Sequence, residues 1–206
     1  FGGVQVGPSN FHKGWDWSSG YHYSDSIVKG FSHLNLSGTG VGDLGELILM
    51  PATGAIKIHA GSQENHEQGY ASLYAKENEI VRPGYYKTDL DRYQIKVELS
   101  ATERVAMHQY TFPEASQARV IIDLGEGNND QPTKTFLHQI NATTFEGYRH
   151  SKGWAKDQRE YFILELSKPV QNFVLYDGEN KLSGDTGEGT HVKGFLEFST
   201  NMEEII

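Results

Sequence analysis

The fold is decided by Tyr93-Gln94-Ile95-Lys96-Val97-Glu98-Leu99, a stretch in which apolar and polar side chains alternate. Alternation of this kind gives an extended strand one apolar face and one polar face. After a short polar connection, residues Val105 to Phe112 alternate again, and Pro113 ends the run because proline cannot donate to a sheet ladder. The two segments therefore predict an antiparallel β-hairpin.

Similar short segments lie on both sides of this hairpin, and turn residues such as Gly, Pro, Asn and Asp separate them. The further predicted strands are Leu47–Met50, Ala55–His59, Arg119–Leu124, Phe136–Asn141, Thr143–His150, Tyr161–Leu166, Asn172–Asp177 and His191–Ser199. No stretch keeps a helical period over about three turns. Many short strands with such turns are typical of sandwiches. We therefore predict an all-β fold, a two-sheet antiparallel β-sandwich that forms a single domain over residues 1–206.

Residues 1–46 differ from the rest of the chain because they hold many aromatic, His, Ser and Gly residues but little alternation. They are predicted to form long N-terminal loops, which in a compact domain are usually functional or form an interface. Both ends of the chain interrupt a pattern. Phe1–Val6 alternates without an initiator Met, and Glu203–Ile206 begins a further strand, so we expect a fragment of a longer protein.

The composition restricts the partners of the chain. A formal net charge of −9 disfavours nucleic acid and anionic membrane surfaces, whereas a neutral ligand such as a sugar is compatible with it. The apolar runs are far too short to span a bilayer, so no membrane insertion is predicted. The absence of cysteine removes disulfides, thiolate metal sites and cysteine nucleophiles.

The densest group of candidate functional residues is Trp15-Asp16-Trp17-Ser18-Ser19-Gly20-Tyr21-His22-Tyr23-Ser24-Asp25-Ser26. Sugars are bound by such mixtures because an aromatic face packs against the apolar C–H face of a pyranose, while Asp, His and Ser bond its hydroxyls. The residues predicted to bind substrate are Trp15, Asp16, Tyr21 and His22. The alternative for any single ring is that it packs in a loop core against the sheet.

Two other motifs receive less support. Gly40-Val41-Gly42-Asp43-Leu44-Gly45 matches the dinucleotide-binding fingerprint, but a strand and not a helix is predicted to follow it. These glycines are therefore expected to allow positive φ or a close backbone approach in a tight loop. His12, His22 and His33 lack the spacing of metal ligands and are expected to be polar loop or interface residues.

Hydrolysis of a glycoside needs two carboxyl groups that face each other across the scissile bond. The acidic residues Asp43 and Glu46 are expected instead to accept hydrogen bonds from loop amides, as acidic residues in turns usually do. We therefore assign no catalytic residue and no metal site to this chain.

A series of short motifs runs through nearly the whole chain and is most specific in its first half. The motifs are Gly20–Ser26, Gly30–His33, Leu36–Gly40, Asp43–Gly45, Leu49–Gly54, Glu77–Glu79, Pro83–Tyr86, Leu99–Val105, Tyr110–Pro113 and Leu196–Thr200. Together they resemble the signature of family 92 of the glycoside hydrolases. The sequence departs from that pattern at Asn35, where the resemblance implies a second His after Phe-Ser-His.

The resemblance implies a calcium-dependent, exo-acting α-mannosidase that acts on mannose-rich glycans and is secreted, periplasmic or on the surface of a bacterial cell. It also implies that this chain is the N-terminal β-sandwich and that a helical-barrel catalytic domain follows residue 206. The catalytic carboxylates and most calcium ligands are implied to belong to that barrel. Within this chain, Trp15 of the Trp-Asp motif is implied to contact the substrate.

Two functions remain open from the sequence. In the first, the chain is the cleft domain of a two-domain exo-mannosidase and is inactive on its own. In the second, it is an autonomous lectin-like module that binds carbohydrate without cleaving it. A self-contained lectin should have a concave, preformed pocket around Trp15, whereas a cleft domain should present these loops at an exposed edge.

Overall fold

Strands dominate the computed structural model, which describes residues 3–35 and 40–206. The motif residues Leu36–Thr39 and the terminal Phe1-Gly2 lie outside the described residues. The strands are β1 Gly7–Ser9, β2 Ile27–Val28, β3 Gly30–Ser32, β4 Leu34–Asn35, β5 Leu44–Glu46, β6 Ile48–Thr53, β7 Ser72–Leu73, β8 Ile80–Arg82, β9 Tyr85–Leu90, β10 Ile95–Ala101, β11 Ala106–Phe112, β12 Ala115–Asp123, β13 Gln131–Gln139, β14 Thr144–Lys152, β15 Gln158–Glu165, β16 Asn172–Asp177, β17 Asn180–Leu182, β18 Thr186–Gly189, β19 Val192–Thr200 and β20 Glu204–Ile205. Short 3-10 helices form at Trp15–Trp17, His66–Gln68 and Lys76–Asn78. In this described part of the chain, no helix is long and apolar enough to cross a bilayer.

The strands form one large sheet and several smaller ones, and all of the paired strands are antiparallel. The central sheet has seven strands in the order β1-β3-β6-β12-β19-β16-β17. A five-stranded sheet has the order β20-β11-β10-β9-β8, and a four-stranded sheet has the order β15-β14-β13-β18. Two small pairs, β2-β7 and β4-β5, complete the set. The predicted hairpin is confirmed as β10 paired with β11.

The two smaller sheets cover the same face of the central sheet. Phe112 of β11 packs edge-to-face on Phe198 of β19, with ring centroids 5.5 Å apart. Phe145 of β14 packs against Phe173 of β16 at 5.2 Å. Phe173 pairs with Leu196, which lies two positions before Phe198 on β19. The Phe173 and Phe198 rings therefore project from the same face of the central sheet. The all-β antiparallel sandwich is confirmed, and its second layer is divided into two sheets.

The opposite face of the central sheet is covered by the irregular segment 54–71. Lys193 donates from Nζ to the Ile58 carbonyl at 2.7 Å, and the Tyr70 hydroxyl donates to Asp123 at 2.8 Å. The predicted strand Ala55–His59 is wrong, because this stretch joins no sheet. Its apolar residues Ile56 and Ile58 pack on the core from outside the ladder, so their alternation reports burial without strand pairing.

The prediction that residues 1–46 form long loops is only partly correct. Strands β1 and β3 extend the central sheet at its edge, and β2, β4 and β5 also form in this region. No strand forms before Gly7 in the described residues. Each of these strands has two or three residues, which is too short for a period of two to be visible in the sequence. A true loop, residues 10–26, remains and carries the predicted sugar-binding residues.

Candidate functional site

The two tryptophans of the Trp15–Trp17 helix lie in different environments. Trp17 is half-buried: it stacks on His22 with centroids 4.1 Å apart and donates from Nε1 to Asp25 at 3.0 Å. The Lys13 ammonium lies over the Trp17 ring and forms an ion pair with Asp25 at 3.0 Å. Trp15 is 71% exposed. The alternative that a ring packs in a loop core therefore describes Trp17, whereas Trp15 presents its ring to solvent.

The Trp15 ring is seated on the backbone of Gly40. A Cβ atom at position 40 would lie 2.2 Å from the Trp15 ring, and Gly40 has a φ of +72°. Both facts require glycine at this position. Gly45, at the other end of the rejected dinucleotide motif, also has a positive φ of 71°, and β5 and β6 follow instead of a helix. These glycines shape a tight loop, as predicted. Asp16, next to Trp15, is exposed.

Tyr21 and His22 are half-buried and take part in a polar network below the exposed tryptophan. The Tyr21 hydroxyl donates to Glu79 at 3.1 Å and accepts from the Lys76 ammonium at 3.0 Å. Burial, followed by the charge of Glu79, raises the pKa of Tyr21. The Lys76 Nζ atom also lies 4.4 Å from the Tyr21 ring centroid. The backbone N–H of His22 donates to Asn10 at 2.9 Å, so both residues are fixed by neighbouring side chains.

Asn35, where the family resemblance implies a His, lies behind this loop and is not exposed at its surface. Its amide donates to Ser32 at 3.0 Å. A Cβ atom at Gly20 would lie 2.8 Å from the Asn35 amide oxygen, so the chain passes close to this side chain. Asn35 therefore contacts the base of the loop that carries Tyr21.

Asp43 is 2% exposed and accepts three hydrogen bonds. The donors are the backbone N–H of Leu44 at 3.0 Å, the backbone N–H of Trp154 at 3.0 Å and the Gln158 amide at 2.8 Å. The prediction that this carboxylate satisfies loop amides is confirmed. The bonds to Trp154 and Gln158 tie the connection between β14 and β15 to residues 40–43, called here the glycine-rich loop.

Glu46 belongs to a buried charged cluster. Its carboxylate lies 3.0 Å from Arg149, which also bonds Asp130 and the Leu124 carbonyl. Burial, followed by the charge of Glu46, raises the pKa of Glu160 well above its ordinary value. Hydrolysis needs two carboxyl groups about 5–9.5 Å apart on either side of a bound sugar, whereas Glu46 is 1% exposed and paired with Arg149. The cluster therefore holds the fold and forms no hydrolytic centre.

The histidines considered as metal ligands bind different partners. His12 bonds Asn128 at 3.2 Å, His22 stacks on Trp17, and His33 lies in the core next to His108 with Nε2 atoms 2.9 Å apart. Within residues 3–35 and 40–206, no group of three or more His, Asp or Glu side chains is placed to hold a metal ion. These contacts agree with the expectation of polar loop residues for His12 and His22. The expectation is wrong for His33, which is 7% exposed and packs in the core.

The clefts that the described residues form most clearly lie away from Trp15. The largest of these, of about 640 Å³, lies between β11 and β15 and is lined by Leu49, Met107, Tyr110, Ile163 and Ile206. Trp15 lines none of these clefts. The Trp15 ring is exposed to solvent in the loop that follows the edge strand β1.

Sequence reasoning did not single out Trp154. This residue is 69% exposed in the connection between β14 and β15, and it is bonded through its backbone to Asp43. An isolated aromatic residue within the polar stretch Lys152-Gly153-Trp154-Ala155-Lys156 was the available signal. Its proximity to the glycine-rich loop depends on contacts between residues more than 100 positions apart, which no local pattern reveals.

Solved structures of longer proteins align with this chain. The family GH92 alpha-mannosidase BT3965 from Bacteroides thetaiotaomicron has a TM-score of 0.95 and 31% identity, over 99% of this chain and 29% of that chain. The same protein in complex with mannoimidazole aligns with a TM-score of 0.95 and 31% identity, over 99% and 28%. The GH92 family glycosyl hydrolase ccman5 has a TM-score of 0.79 and 21% identity, over 96% and 27%, which supports the fold alone.

This chain thus spans less than a third of the length of those proteins. No curated protein sequence matches it. The family model for the glycosyl hydrolase family 92 N-terminal domain matches residues 1–206. Because this match covers the whole chain, the chain belongs to glycosyl hydrolase family 92, as its N-terminal domain.

Proposed function

We propose that this chain forms one wall of the active-site cleft of a secreted, periplasmic or cell-surface exo-α-mannosidase that acts on mannose-rich glycans. The following helical domain would supply the catalytic carboxylates. The observation that carries the proposal is the exposed Trp15 ring, seated on Gly40 at the edge of a family 92 N-terminal domain. An exposed indole held in place by the backbone offers a preformed surface for a sugar.

The four proposed substrate-side residues have different roles. Trp15 packs against the C–H face of a mannose, and the exposed carboxylate of Asp16 accepts hydrogen bonds from its hydroxyls. Tyr21 is a positioning residue, because its hydroxyl is already bonded to Glu79. His22 is half-buried and supports the helix that carries Trp15 by stacking on Trp17.

Calcium, which the family resemblance implies, is proposed to be bound mainly by the following domain. A calcium ion takes six to eight oxygen ligands. Near Trp15, the Asp25 carboxylate is engaged by Lys13 and Trp17, and Asp43 is engaged by loop donors. The described residues do not provide a ligand set of that size, so no step assigned to this chain depends on the ion.

A lectin-like module is the second candidate. Such a module needs a concave pocket that encloses much of its ligand. Trp15 instead projects from an exposed edge and lines none of the clear clefts among the described residues. This position favours a cleft that two domains complete together.

The test uses the intact enzyme with the substitution Trp15→Ala. Loss of one aromatic contact of about 1.5 kcal/mol lowers kcat/KM for an α-mannoside by roughly tenfold or more. The matched control is Tyr161→Ala, which removes an aromatic ring of similar exposure from β15 and should leave kcat/KM unchanged. An unchanged kcat/KM in Trp15→Ala would contradict the proposed role of this residue.

The isolated chain provides a second measurement. Because the proposed catalytic carboxylates lie in the following domain, purified residues 1–206 should release no mannose from α-linked mannosides. Detectable turnover by this fragment would contradict the assignment of catalysis to the following domain. Retention of the isolated chain on immobilised mannan, with an affinity equal to that of the intact enzyme, would favour the lectin-like module.

A further inference from the structure

Trp154 is a second exposed indole on the edge of the sandwich that carries Trp15. Its side chain is 69% exposed, against 71% for Trp15. Both indole rings are therefore available for contact with a ligand.

The connection that carries Trp154 is held by buried polar side chains. Asp43 accepts hydrogen bonds from the Trp154 backbone and from the Gln158 side chain, at 3.0 Å and 2.8 Å. The Ser151 hydroxyl bonds Glu46 at 2.5 Å and Gln158 at 2.6 Å. Charge-assisted bonds to a buried carboxylate are stronger than neutral ones. Trp154 is thus attached at a fixed backbone position despite its exposure.

Glycine at position 153 allows this attachment. A Cβ atom there would lie 2.0 Å from the Asp43 carboxylate, so a larger residue would push the connection away from the acid. The Asp43 side chain and Gly153 together place the Trp154 backbone against the glycine-rich loop. Asp43 therefore acts as a positioning residue for Trp154.

Both tryptophans are attached to one short piece of chain. The Trp15 ring rests on Gly40, and the Trp154 backbone is bonded to Asp43. Three residue steps separate Gly40 from Asp43, a span of at most about 11 Å. The two indoles are therefore both anchored on the segment Gly40–Asp43.

We propose that Trp154 forms a second sugar-binding surface, which contacts the sugar unit next to the one held by Trp15. This inference rests on the proposed function of the Trp15 edge. Its ligand is a neutral oligosaccharide of mannose, since an indole face packs on C–H groups and the acidic chain offers no attraction for an anion. Trp154 would then select for longer substrates, and Asp43 would act through it.

The test compares two substrates of the intact enzyme: an aryl α-mannoside with one sugar and an α-linked mannobiose. In Trp154→Ala, the ratio of kcat/KM for the mannobiose to kcat/KM for the aryl mannoside should fall by roughly tenfold, mainly through KM. Trp154→Phe should recover part of the ratio because it retains an aromatic face. Asp43→Asn should lower the ratio by a smaller factor, because one acceptor oxygen is retained.

The outcomes separate this inference from the function on which it rests. In Trp154→Ala, an equal fall in kcat/KM for both substrates would indicate a contact with the following domain, and an unchanged kcat/KM for both would indicate no contact with substrate. Either result overturns the inference. The proposed function survives both outcomes if Trp15→Ala still lowers kcat/KM. If the intact enzyme cleaves no α-mannoside at all, the proposed function and this inference both fail. If Trp154→Ala does not fold, as judged by circular dichroism, the ratio in Trp154→Phe and Asp43→Asn decides.

Discussion

The central sheet and the edge that carries Trp15 and Trp154 are held together by different interactions. In the sheet, β12 and β19 pair along most of their length, and Phe195, Leu196 and Phe198 are at most 1% exposed. At the edge, loops without a continuous ladder are held by buried charged side chains such as Asp43 and Arg149. Apolar burial has no dependence on protonation, whereas bonds to buried charges do. The loops at the edge are thus held in place by charged groups. Their stability depends on pH, whereas the stability of the sheet does not.

The largest expected effect is that of Arg149→Ala. This change leaves the buried carboxylates Glu46 and Asp130 without their cation, and breaking a buried pair in this way costs about 3–5 kcal/mol. Phe198→Ala in the sheet costs about the same, through loss of burial and a cavity. Urea unfolding at pH 5 and pH 8 distinguishes the two. The cost of Arg149→Ala should fall on acidification as the orphaned carboxylates take up protons, and the cost of Phe198→Ala should stay constant.

Equal pH dependence of the free energies of unfolding of Arg149→Ala and Phe198→Ala would contradict this prediction. In such a case the carboxylates of Glu46 and Asp130 would be stabilised by something other than Arg149. The control Arg159→Ala removes an exposed Arg on β15 whose ion pair with Asp157 lies at the surface. Such a pair contributes at most about 1 kcal/mol, so this variant should be near wild type at both pH values.

The second prediction concerns His33 and His108, whose rings stack with centroids 4.8 Å apart. His33 donates from Nδ1 to the Leu47 carbonyl, so its Nε2 accepts from His108, whose Nδ1 in turn accepts from the Tyr110 hydroxyl. Both rings are therefore neutral in the fold. Burial lowers the pKa of His33 to about 4 and lowers that of His108 as well. Protonation of His33 would place two N–H donors against each other.

A histidine whose pKa is depressed in the folded state contributes stability above its unfolded pKa, and that stability is lost as the pH falls. The unfolded value is about 6.5, so the free energy of unfolding should drop between pH 6.5 and about 4, by up to about 3 kcal/mol from His33 alone. His33→Gln, which retains a donor and an acceptor but does not titrate, should flatten that drop. His12→Gln is the control, because His12 bonds only Asn128 in a half-buried position. An unaltered acid slope in His33→Gln would contradict the neutral pair.

The smallest expected effect is that of Glu160→Gln at the charged edge. A carboxyl whose pKa is raised in the folded state favours the fold when protonated, so its contribution is lost as the pH rises above the unfolded value. Because glutamine is neutral at every pH, Glu160→Gln should retain this stability at high pH. Its Tm should therefore exceed that of wild type by about 2–4 °C at pH 8 and approach wild type near pH 4. Glu165→Gln, an exposed position on the same strand, should show neither change; a lower Tm for Glu160→Gln at pH 8 would contradict the raised pKa.

Most strands of the sandwich could be predicted because they are long enough for a period of two to be visible. Tyr93–Leu99 and Val105–Phe112 correspond to β10 and β11, and His191–Ser199 corresponds to β19. Ala55–His59 has the same pattern but covers a sheet face from outside the ladder. Alternation records which side chains are buried, and it does not record which backbone groups are paired.

The candidate site was predicted by composition more than by geometry. Trp15 and Trp17 are equivalent in the sequence, and only packing makes Trp17 a buried partner of His22 and Asp25 while Trp15 stays exposed. The position of Trp154 beside the glycine-rich loop could not be predicted, for a similar reason. Its place beside the loop depends on a hydrogen bond to Asp43, 111 residues away in the chain.

The sequence by itself determined that this protein is an all-β sandwich, because alternation is a local property that each strand carries. It also placed the chain, by resemblance, in family 92. The tertiary structure alone decided how the second layer divides into two sheets, which indole of the Trp15–Trp17 helix is exposed, and that Trp15 and Trp154 are anchored on one short segment. Those features depend on contacts between distant residues, whose geometry is set by the balance of burial and charge in the whole fold.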